Sequence, residues 1–282
     1  MLTALISTVT ATLFGSADFL GGLASRRAPA LLVSAVMFAT GVLLFPFVLL
    51  VVRPEAVAWT DGGYGAISGV MGMIGVLSLY AALAIGRMSV VAPLTAALSG
   101  AGPAAFDLLR GSHVGPLGLA GLLLAIVSVV IVSTTTGTVE EHGMPPKAVA
   151  LSVIAGTCFA TSLISLSLTA PASGFAPLLV ARVVGTAAFG IAVFARRGSI
   201  DFHVPSMRLA VVTGVLDAAA NVTMLTAIRI GPLAVASVVG GLYPVATMLL
   251  ARVVLEERLK RHQVAGVALA LIAVVLTAIP GS

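Results

Sequence analysis

Apolar runs of roughly membrane-spanning length follow one another along this chain, and short links between them hold most of its charges. About 20 residues of α-helix cross the ~30 Å hydrocarbon layer of a bilayer. Runs of that size are predicted as helices at 2–24, 31–52, 63–85, 89–110, 117–135, 147–168, 175–196, 208–229, 232–254 and 263–279. Hydrophobic residues make up 59% of the 282 and charged residues 9%, against about 25% charged in an average soluble domain. A water-soluble fold of this length has no place to put so much apolar surface, because its exterior must face water. The runs are too long for barrel strands and lack their inward–outward alternation. The expected fold class is therefore all-α and integral to the membrane, with about ten transmembrane helices.

The net charge of +5 does not point to nucleic acid. The basic residues stand in short links between apolar runs, the pattern of membrane topology rather than of a basic binding face. Cys158 is the single cysteine, so no internal disulfide forms. His113, His142, His203 and His262 fall in links or at run ends without metal-ligand spacing. Neither a metal nor a cofactor is expected. The N-terminus lacks a basic stretch before its first apolar run, which argues against a cleaved signal peptide.

The longest link, Thr136–Pro146, lies near mid-chain and carries Glu140, Glu141 and the pair Pro145-Pro146. Sliding the chain by 145 residues superposes its two sides without gaps. Gly86 falls on Gly231, Val90 on Val235, Gly121 on Gly266 and Ala125 on Ala270. Val129-Val130 falls on Val274-Val275, Gly69-Val70 on Gly214-Val215, and Phe14 on Phe159. We expect two five-helix repeats, residues 1–135 and 147–282, joined by the loop 136–146. An odd number of helices per repeat makes the second enter the membrane from the opposite side, an inverted repeat. The basic residues agree. Links after the odd-numbered spans hold Arg26, Arg27, Arg87, Lys147, Arg196, Arg197, Arg208, Arg252, Arg258, Lys260 and Arg261, whereas the other side holds Arg53, Arg110 and Arg229. The positive-inside rule makes the first side cytoplasmic and both termini extracytoplasmic, in a multi-pass cell (inner) membrane protein.

Several segments carry a family resemblance: Ala227-Ile-Arg-Ile-Gly-Pro-Leu-Ala-Val235, Leu242-Tyr-Pro244, Ala251-Arg-Val-Val-Leu-Glu-Glu257 and Gly266. A weaker copy runs through Tyr80-Ala-Ala-Leu83, Gly86, Val91-Ala-Pro-Leu94 and Gly121. The opening Phe14-Gly-Ser-Ala-Asp-Phe-Leu-Gly-Gly22 is similar to one subgroup of the same branch. These residues resemble the drug/metabolite transporter superfamily, specifically its ten-helix EamA-type members. The first repeat departs from the pattern, with Ser99 where the second has Pro244 and Gly111 where it has Glu256. The resemblance implies a small-molecule transporter that exports or exchanges metabolites or drugs without its own ATPase.

Charges inside a span are costly, about 2.5–3.5 kcal/mol on insertion scales, and so mark a water-filled cavity or a paired site. Asp217 is the first candidate. It lies midway along its run, with Asn221 one turn on and on the same face. No Lys or Arg stands within four residues of it, as suits either a proton carrier or a contact to a polar substrate. An interhelical packing bond is the competing reading. Asp18 is the second candidate, flanked by Gly15, Ser16, Ala17, Gly21 and Gly22, which let another helix approach. The 145-residue offset pairs Asp18 with Leu163 and Asp217 with Gly72, so any coupling site is asymmetric.

Arg182 either holds a substrate carboxylate, pairs with an acid, or snorkels to the headgroups. Thr157, Thr161 and Ser165 form a one-face stripe that lines a pathway or bonds back to its own helix. Tyr80 and Tyr243 project into a cavity or pack at an interface. Pro93, Pro103 and Pro244 are candidate kinks or hinges, or ordinary structural prolines. Asp107 and Arg110 read as a local ion pair, and Glu256, Glu257 and Arg258 as a helix end.

The expected function is secondary active transport, exporting a small metabolite or drug-like compound by alternating access. The expected energy source is either the proton motive force, coupled through Asp217, Asp18 or both, or a substrate gradient. The chain has no phosphate-binding loop of the Gly-x-x-x-x-Gly-Lys-Ser/Thr type. Expected partners are the small-molecule substrate, protons and membrane lipid, with no nucleic acid, and a monomer holds both repeats. A lipid-carrier flippase or facilitative exchanger of the same fold is the alternative. An enzyme would need a cluster of His, Asp or Ser at one membrane face, and the sequence has none.

Overall fold

The computed structural model describes residues 2–109, 144–196, 204–230 and 243–256, with isolated helical positions between 116 and 127 and between 264 and 276. Among the described residues there is no strand. The helices are α1 (Leu2–Ser25), α2 (Ala30–Val51), α3 (Trp59–Ile85), α4 (Met88–Leu109), α5 (Pro146–Ser167), α6 (Ala176–Ala195), α7 (Val204–Ile230) and α8 (Tyr243–Val254). Five of them, α2, α3, α5, α6 and most of α7, are long and apolar enough to cross a membrane. The predicted spans 117–135 and 263–279, the link 136–143, the Asp107–Arg110 pair and the residues Glu257 and Arg258 lie largely or wholly outside what is described.

The sequence patterns explain where most helices start and stop. Pro146 and Pro177 occupy first-turn positions of α5 and α6, where a missing N–H costs nothing. Before α6 the chain makes a single 3-10 turn, Pro171–Ser173, and reverses at Gly174, whose φ of +55° suits a residue without a Cβ. α3 and α7 each begin four residues earlier than predicted. For α3 the reason is Asp61, a residue the sequence pattern did not single out. Its carboxylate is only 3% exposed and accepts the Ala58 N–H at 3.2 Å, satisfying a donor at the helix start. The other carboxylate oxygen accepts the Ala170 N–H at 2.9 Å. Glu55 and Ala56 also donate their N–H groups to the Ala172 carbonyl. Links 52–58 and 168–175 are thereby tied together at one end of the bundle. At the other end Arg26 reaches the Leu83 and Gly86 carbonyls, and Gly86 packs on Ala148 of α5.

Close backbone approach sets the lateral packing. A Cβ on Gly69 would fall 2.5 Å from the Ala181 carbonyl oxygen, and one on Gly65 would fall 2.7 Å from that of Pro177. The pair is a small-x-x-x-small seam that lets α3 lie directly on α6. Gly214 does the same for α7 on α2, 2.7 Å from the Met37 carbonyl oxygen. α1 packs chiefly on α7 and α8, and α5 on α3 and α4. Hydroxyl bonds cross these seams: Thr10 to Thr223 at 2.8 Å, Ser68 to Ser162 at 2.7 Å, and Thr247 to the Gly15 carbonyl at 3.1 Å.

Large apolar side chains face outward as well as inward. Leu43, Phe47, Leu50, Val51, Ile191, Phe194 and Val253 are exposed, and so is Trp59 at the start of α3. Such an exterior suits lipid, and a tryptophan at a helix end suits the membrane interface.

Candidate functional site

Asp217 stands midway along α7 and faces the bundle interior. Its carboxylate is hydrogen-bonded and ion-paired to the Arg182 guanidinium of α6. Asn221, one turn on, donates to the same carboxylate at 3.2 Å and to the Asp217 carbonyl at 2.8 Å. Arg182 is 8% exposed and Asp217 9%, so the snorkelling expected as one reading of Arg182 does not occur. The side chain turns inward because three groups receive it. Asp217 takes its charge, the Phe38 ring lies 4.6 Å from the guanidinium carbon, and Gly41 of α2 leaves room for its methylene stem. Phe38 is held edge-on by Phe189, with centroids 5.2 Å apart.

Asp18 of α1 joins the same region. Asp217 lies within electrostatic reach of it, and Tyr80 feels both carboxylates and Arg182. Tyr80 is buried, donates its hydroxyl to the Met37 sulfur at 3.1 Å, and lays its ring over Gly21. Tyr243 approaches from α8, with its hydroxyl facing Ser99, its charge environment shared with Asp18, and its ring edge-on to Phe14 at 6.3 Å. Among the described residues Asp18 has no hydrogen-bond or ion-pair partner, and it stays partly exposed.

Other predicted site residues are not drawn into this group. Thr157, Thr161 and Ser165 each donate to the carbonyl four residues back on α5. Thr157 is exposed, so its hydroxyl is on the outside of the bundle. Pro93 and Pro103 lie within α4, which continues through both as helix, and Pro46 lies likewise within α2, unremarked in the sequence pattern. Pro244 is buried near the first described residue of α8. Glu256 leaves the helix with φ of +53°, as a chain does on ending one.

An apolar groove of about 580 Å³ runs between α2 and α7, lined by Phe47, Val48, Val51, Val52, Phe175, Val222, Thr226 and Ile230. Its walls are carbon-rich, in contrast to the charged interior.

Sequence reasoning missed Phe38, Gly41 and Met37, because an apolar residue or a glycine in an apolar run carries no mark of what it packs against. Asp61 did have a signal: an acid at the third position of a helix start.

An apolar exterior and several helices of membrane-spanning length mark a multi-pass membrane protein. The model of the EamA-like transporter family matches residues 146–279, which supports membership of the EamA branch of the drug/metabolite transporter superfamily. Its members are transporters rather than enzymes. A solved structure described only as the crystal structure of a protein aligns over 97% of this chain and 95% of its own, with a TM-score of 0.63 and 19% identity, a likeness of fold. No curated protein matches the chain.

Proposed function

We propose that this protein is a secondary active transporter that exports a small metabolite or drug-like compound by alternating access around the Asp18–Arg182–Asp217 region. The observation that carries this reading is the buried Arg182–Asp217 pair in mid-bundle, with Asp18 beside it and without a partner among the described residues. Charges this deep are expensive and so mark a substrate or ion path by default. Of the two acids, Asp18 is the better proton carrier, because Asp217 already holds Arg182 and Asn221.

Ten spans in two inverted repeats, 1–135 and 147–282, complete the proposal. Equivalent positions 145 apart support it. Gly69 and Gly214 each meet a carbonyl of a neighbouring helix, at Ala181 and at Met37, the latter one residue off the register, and Gly15 meets Thr247 as Ala160 meets Gly102. The described basic links also support the sidedness, since Arg26, Arg87 and Lys147 stand at one end and the Asp61 clamp at the other. The flippase alternative calls for a polar groove open to lipid; the groove between α2 and α7 is apolar.

The test is mass spectrometry of the medium from cells making the native protein, Asp217→Asn at equal membrane abundance, or neither. Enrichment of a compound only with the native protein supports export through this site. Enrichment by both keeps export and removes Asp217 from it. A medium identical to that of empty cells overturns the exporter reading.

A further inference from the structure

We infer that Asp18 is the recognition point for a positively charged group, so that the substrate is a small organic cation with an apolar or aromatic body. The inference rests on the transporter reading and narrows its substrate.

Charge balance comes first. The mid-helix charges of the described bundle are Asp18, Asp217 and Arg182, while the described helices carry their other Lys and Arg residues, such as Lys147, Arg208 and Arg252, toward their ends. Arg182 is occupied, bonded to Asp217 and stacked on Phe38. One acid, Asp18, is left without a basic partner among the described residues.

Placement comes second. Asp18 sits between two glycines on one face of α1. One turn before it, Gly15 lets the α8 backbone press close, at 2.5 Å from a Cβ to the Tyr243 carbonyl oxygen. One turn after it, Gly21 accommodates the Tyr80 ring. Phe14 and Tyr243 complete an aromatic surround. A carboxylate walled by aromatic rings suits an ammonium, which gains both the ion pair and the ring quadrupoles.

Accessibility comes third. Arg182, Asp217 and Tyr80 are buried, whereas Asp18 is partly exposed. By surface area it is the more exposed of the two acids.

The experiment uses the full chain, purified and reconstituted in liposomes, with matched labelled probes: phenethylamine and tetraethylammonium as cations, L-phenylalanine as zwitterion and 3-phenylpropanoate as anion. Thermal unfolding reports binding, and uptake reports flux. At least one cation should raise the unfolding temperature, and neither of the other two compounds should. Asp18→Asn should weaken that binding at least tenfold and Asp18→Glu should restore part of it, while Glu55→Gln in the exposed link leaves it unchanged. Stabilisation by the zwitterion or anion, equal cation binding by Asp18→Asn, or no cation binding by the native protein overturns the inference. Native-dependent flux of phenylalanine or phenylpropanoate sinks the cation assignment and keeps the transporter. Cation binding without flux of any probe keeps the site and sinks the transporter.

Discussion

At the residue scale, the Arg182–Asp217 pair shows what a list of charged positions leaves open. The partners are 35 residues apart, so neither is visible from the other in sequence. Asp217 and Arg182 could each be marked as mid-span charges, yet their pairing depends on α6 and α7 both facing α2. Removing one partner of a buried pair strands the other charge. Asp217→Asn and Arg182→Met should therefore each destabilise the protein by on the order of 3 kcal/mol, read by thermal unfolding in detergent. The double variant Arg182→Met/Asp217→Leu should recover most of that loss. Losses that simply add would show that the pair is not energetically coupled.

At the element scale, glycines decide which helices can touch. Gly69 and Gly63 are both on α3 and look alike in sequence. A Cβ on Gly69 meets the α6 backbone, whereas one on Gly63 meets nothing within 4 Å. Gly69→Ala should push α3 off α6, next to Arg182, and cost about 1–3 kcal/mol. Gly63→Ala should be neutral or stabilise by about 0.4–1 kcal/mol, because it only narrows the unfolded ensemble. Comparison of the two unfolding midpoints checks this, and equal effects would refute the seam. The Asp61 clamp gives a second expectation. Asp61→Ala leaves the Ala58 and Ala170 N–H groups without their acceptor, so hydrogen exchange at Ala170 should speed up by tenfold or more, while the α3 interior stays protected. Unchanged exchange at Ala170 would mean that the links hold without the carboxylate. The polar stripe of α5 carries the opposite lesson: its spacing was plain in the sequence, but each hydroxyl closes on its own helix.

At the scale of the whole molecule, the proposed orientation is open to chemical labelling. In a Cys158→Ser background, cysteine at exposed Arg27 should react with an impermeant maleimide only after the cells are opened, and cysteine at exposed Glu55 in intact cells. The reverse pattern would invert the topology. The sequence alone pointed to a chain that lives in lipid, placed most of the described helices to within a few residues and marked the costly mid-span charges. Those properties are local: hydrophobicity, length and charge are summed along the chain, and the price of a charge in hydrocarbon does not depend on fold detail. Only the tertiary structure decided that Arg182 turns inward to Asp217, that Phe38 and Gly41 make room for it, and that Asp18 is left without a partner among the described residues. Between transmembrane helices the lipid-facing and partner-facing residues are equally apolar. Which face meets which neighbour is therefore settled by close packing in three dimensions, and a linear pattern of hydrophobicity does not record it.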